Sequence, residues 1–150
     1  MTGINYSRVL LGGIVAGLLL AGGEAVLGSF VLSSDWEGTS IDPQAVTHGT
    51  WHSLGVISVV FLNGFVLTWL YASMRPRFGP GPKTAILSGL TLWLIAWALM
   101  GISLTLSGVV TSRIAIVSAI WGVFEVPLAA LAGAWFYREN NQTGAQALNA

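Results

Sequence analysis

The chain contains no cysteine. That excludes a disulfide framework, a thiolate nucleophile and any sulfur-ligated metal or iron–sulfur site. Charge is almost as scarce: six Lys and Arg and six Asp and Glu make up 8% of 150 residues, and they cancel. Soluble domains carry about 25% charged residues, so a water-exposed globule of this composition would present large apolar patches. No basic run occurs, which leaves nucleic acid without an electrostatic footprint. Gly-x-Ser-x-Gly elbows, Gly-rich phosphate loops, zinc-protease helices and acid-rich calcium loops are all missing. The expected role is therefore non-enzymatic.

What the chain does have is apolar length. Hydrophobic residues are 54% of it and the mean hydropathy is +0.74. Four apolar runs fall at residues 9–32, 53–72, 84–106 and 114–137, each near the roughly 20 residues a membrane span needs. The predicted fold is an all-α, membrane-embedded four-helix bundle forming a single domain over residues 1–150. The first run follows Arg8 but exceeds the usual 7–15 residues of a signal-peptide core, so it is expected to be a retained helix.

Basic residues predict the orientation. With four alternating spans, Arg8, Arg75, Arg77, Lys83 and Arg138 fall on one side and only Arg113 on the other. The positive-inside rule then puts both termini in the cytoplasm. Asp35, Glu37 and Asp42 lie in the opposite, outward loop. Spans two and four both end in Trp-x-Tyr, at Trp69–Tyr71 and Trp135–Tyr137, as an interfacial aromatic belt requires. Tandem duplication of a helical hairpin would leave the same echo. Between Arg75 and Lys83, three prolines and two glycines predict a stiff, non-helical turn.

Two glutamates, Glu24 and Glu125, stand deep inside the first and fourth runs. An ionised carboxylate near a bilayer centre costs roughly 2.5–3.5 kcal/mol even on insertion scales. Such groups are expected to be neutral, paired or turned toward a protein interior. At about 1.5 Å per residue, Glu24 lies about 22 Å from the inner start of its span and Glu125 about 18 Å from the inner end of its own. The two would share one level if these antiparallel helices touch. Asn63 and Thr91 could extend a polar core, and Trp97 and Trp121 could wall it. Pro127 would kink the fourth span and open space beside Glu125. Such a centre could be a hydrogen-bonded pair fixing helix register, a proton or cation site, or an anchor for a lipid or small molecule.

Small residues recur every four positions at Gly13, Gly17, Ala21 and Ala25, and the fourth span carries Ala115, Ala119, Gly122, Ala129, Ala130, Gly133 and Ala134. Close backbone approach drives helix association in lipid, so spans one and four are expected to pack most closely. The same stripes could serve self-association. His48 and His52, four apart, either cap the outer loop or supply a metal, haem or pigment ligand. No cofactor follows from the pattern. Arg75, Arg77 and Lys83 could hold lipid phosphate, although the topology rule alone accounts for them.

Three stretches carry a resemblance: Arg8–Gly17 with Gly23-Glu24 following, Arg75–Ala85 (RPRFGPGPKTA), and Trp121–Ala129 running into Ala132–Trp135. They resemble a family of small bacterial four-helix integral membrane proteins of unassigned activity. The likeness implies a bacterial inner-membrane, multi-pass setting, and brings no ligand or catalytic residue with it. The function expected is that of a structural or binding subunit, accessory to a larger membrane complex. The alternatives are proton or cation handling by the glutamates and membrane-embedded binding of a lipid or small molecule.

Overall fold

Each apolar run becomes a helix because a chain in hydrocarbon must satisfy its own backbone. The computed structural model describes residues 4–36 and 50–137, with the side chains of residues 50, 52 and 53 outside that description. Among the described residues there is no strand, and four helices are long and apolar enough to cross a membrane. They are α1 (Tyr6–Val31), α2 (Thr50–Phe78), α3 (Pro82–Leu106) and α4 (Ser112–Phe136). Two of them start on side-chain caps. The Asn5 side chain accepts the Arg8 N–H at 3.2 Å, and Thr111 Oγ1 accepts the Ile114 N–H at 3.3 Å. Each cap satisfies one of the amides that a helix start leaves without a partner.

The proline-rich segment departs from expectation. Helix α2 runs on through Pro76 to Phe78, so the non-helical turn shrinks to residues 79–81. A proline deep in a last turn removes one backbone bond, to the carbonyl four residues back, without breaking the remainder. The reversal falls instead on Gly79 and Gly81, whose φ angles of 80° and 135° suit only glycine. Pro82 then opens α3 as its first residue, where the missing N–H costs nothing.

Helix pairing also differs in part from the expected pattern. The Gly13 and Gly17 edge of α1 packs on α2, not α4, and α1 shares its widest contact with α2. A Cβ built on Gly64 of α2 would fall within 2.8 Å of the Gly17 Cα, with the Gly13 carbonyl closer still. Backbone therefore meets backbone. The contact of α1 with α4 uses the next face around: Gly12 lies against the Gly133 carbonyl, and Thr68 of α2 is lodged between them. Small residues line both faces of α1, and spacing alone assigns neither to a neighbour. Helix α3 packs chiefly on α4, with Gly89 pressed against Pro127.

Ala16, Leu20, Leu67, Leu92, Val126 and Ala129 form the central core. At one end, the Tyr71 and Tyr137 rings meet edge to face at 5.9 Å. The Arg75 guanidinium sits 5.7 and 5.2 Å from the two ring centroids. Tyr137 Oη accepts the Asn5 N–H and Tyr71 Oη accepts the Gly81 N–H, both at 3.3 Å. The two Trp-x-Tyr ends thus clasp the start of α1, the ends of α2 and α4, and the turn into α3. At the opposite end, Arg113 Nε pairs with Asp35 Oδ1 at 3.2 Å above a cluster of Leu27, Leu32, Val110 and Ile114. Outward-facing Leu18, Leu62, Ile95, Ile120, Phe124 and Leu128 are each more than half exposed. Soluble monomers rarely leave so continuous an apolar surface uncovered, and the architecture fits a multi-pass membrane protein.

Candidate functional site

Glu24 is presented by α1 three residues before that helix widens into a π-helical turn, Leu27–Val31. Facing it, α3 carries a second π-helical stretch, Leu94–Leu99, which contains Trp97. Such widened turns are rare and recur at functional positions. The Trp97 indole N–H donates to Glu24 Oε1 at 2.8 Å. One turn earlier, the Trp93 N–H donates to the Ala119 carbonyl of α4, also at 2.8 Å. Both indoles lie over Gly122, where a Cβ would come within 2.9 Å of Trp97 and 3.1 Å of Trp93. Glycine at 122 is what lets α3 bring its tryptophans against α4.

Glu125 lies three residues beyond Gly122 and reaches across to α1. Its carboxyl fills the notch over Gly23, where a Cβ would overlap it. Glu125 therefore rests on the residue beside Glu24. Both Glu125 oxygens are sealed from solvent, and neither receives a hydrogen bond. The Trp121 indole interacts with this carboxyl, yet its N–H completes no bond of ordinary geometry. Glu24 accepts a well-formed indole hydrogen bond, whereas Glu125 has Trp121 beside it without one. That asymmetry defines the centre.

Other residues singled out in the sequence lie elsewhere. The Thr91 hydroxyl donates back to the Leu87 carbonyl of its own helix at 2.8 Å, and no hydrogen bond joins partly buried Asn63 to either glutamate. Pro127 is buried against Gly89. His48 lies outside the described residues, as does the side chain of His52, whose backbone belongs to the first turn of α2. Among the described residues, no group of three or more His, Asp or Glu could hold a metal ion. Arg75 is engaged by the two tyrosines, whereas Arg77 and Lys83 are exposed. Gly23, Trp93 and Gly122 complete the centre. Their signal in the sequence is the four-residue spacing of Trp93 and Trp97 and a glycine beside each of Glu24 and Trp121.

This arrangement places two carboxyls from α1 and α4 at one level, with the Trp97 indole N–H as a fixed donor to one of them. Interhelical hydrogen bonds in membranes average about 0.6 kcal/mol and reach about 1.7. Trp97→Phe should accordingly lower bundle stability by about 1 kcal/mol, whereas Glu24→Gln, which keeps an acceptor oxygen, should change it little. Unfolding in mixed micelles measures both. Comparison of the chain with protein-family models, curated proteins and solved structures finds no match.

Proposed function

We propose that this chain is a non-enzymatic subunit of a bacterial inner membrane, with both termini in the cytoplasm, serving as a structural or binding partner within a larger assembly. The observation that carries this reading is the seating of the glutamate centre between helices: Trp97 of α3 donates to Glu24 of α1, and the Glu125 oxygens of α4 are sealed against Gly23 of α1. Carboxyls seated in this way between three helices suit groups that fix helix register. Among the described residues the turns at 79–81 and 107–111 are short, so partners would dock laterally against the helices or on the outer loop.

A second reading rests on a specific feature, the buried Glu125 carboxyl, which completes no well-formed hydrogen bond and lies beside Glu24. It makes the pair a proton- or cation-handling centre, reached when α1 and α4 part at Gly23. Purification from native membrane in mild detergent tests the first reading, because a subunit should bring its complex with it. Glu24→Gln combined with Glu125→Gln should leave that assembly intact. Proton or cation flux in vesicles that the same pair abolishes would instead support the second reading. A chain that purifies alone and shows no flux overturns both.

A further inference from the structure

Beside the tyrosine clasp, a groove of about 390 Å³ opens between the α2–α3 turn and the C-terminal half of α4. Tyr71, Pro82, Ala85, Leu131 and Ala134 line it, and Trp135, 83% exposed, stands at its flank. The turn beside it is basic: Arg77 and Lys83, both exposed, flank the lining residues Gly81 and Pro82 in sequence, and the described acidic residues, Glu24, Glu125 and Asp35, lie outside this turn. Lys83 occupies the first turn of α3, which has neither an acidic residue nor a side-chain cap. A cation there opposes the helix dipole instead of balancing it. The sidedness rule explains why Arg77 and Lys83 lie at this end. It does not explain an apolar groove beside the turn that carries them, or a helix start left without counter-charge.

We infer that this groove binds one anionic glycerophospholipid, with an acyl chain laid between α4 and the turn and the phosphodiester held by Lys83 and Arg77. Arg75 takes no part in holding the phosphodiester, because its guanidinium is committed to Tyr71 and Tyr137. The orientation proposed above places the site in the cytoplasmic leaflet, where anionic lipids attract basic side chains by about 1 kcal/mol each. The site is independent of the glutamate centre.

Native mass spectrometry of the detergent-purified chain, titrated with phosphatidylglycerol or phosphatidylcholine, tests this. One phosphatidylglycerol should bind per chain in preference to phosphatidylcholine. Arg77→Gln with Lys83→Gln should weaken it about 25-fold, about fivefold for each charge. Ala134→Leu, which fills the groove, should weaken both lipids while leaving the helical circular dichroism unchanged. Arg113→Gln, at the opposite end, should have no effect. Equal affinity for the two lipids, or a double variant that binds as tightly as the parent, would overturn the site and leave only exchangeable surrounding lipid.

Discussion

Gly64→Leu is expected to destabilise the bundle by about 3 kcal/mol or more, the upper range for forcing extra atoms into a packed contact. The reason is local. A Cβ at this position meets the Gly13 carbonyl, the Gly17 amide and the Gly17 Cα of α1. None of these is a side chain that can swing away, so the whole of α1 must withdraw. That withdrawal forfeits the widest helix contact in the molecule, in a setting where packing and hydrogen bonds supply the adhesion. The same substitution at Gly55, two and a half turns away on α2, provides the comparison. Nothing lies within 4 Å of a Cβ there, so Gly55→Leu should stay within about 0.5 kcal/mol of the parent. Denaturation in mixed micelles distinguishes them. Equal effects at both positions would show that helix propensity, not the α1–α2 contact, sets the response.

Why the four helices were legible and their partners only partly so follows from what each signal encodes. Twenty apolar residues must become a helix in lipid whatever surrounds them, so all four runs were read within a few residues except where α2 continues through Pro76. Helix neighbours depend on which of two small-residue faces is turned inward. On α1 those faces are Gly13 with Gly17 and Gly12 with Ala16, one residue apart and alike in composition. The glutamate level followed from counting residues along the spans. The unequal partnering did not, because Trp97 reaches Glu24 from a π-helical turn that packing creates and no residue pattern announces. Trp121, one turn from Glu125 and the nearer choice by spacing, completes no hydrogen bond.

That unequal partnering gives the second large effect, and its sign separates a structural carboxyl from a working one. Leaving a buried polar group without a partner costs about 1–3 kcal/mol, and replacing it with an apolar group of similar shape recovers much of that. Glu125→Met should therefore raise stability by about 1–3 kcal/mol. Glu24→Met should lower it by about 1 kcal/mol, because it strands the Trp97 N–H without an acceptor. The two residues would then respond in opposite directions, although sequence position makes them look equivalent. A double-mutant cycle measures the coupling between them, which for neighbouring groups runs at about 0.5–3 kcal/mol in either direction. If Glu125→Met alone destabilises, the carboxyl is already satisfied, and the pair is a register lock that supports the structural reading. If it stabilises, the protein carries at Glu125 a group that its fold would be firmer without, and the cost of keeping it has to be met by something that group does.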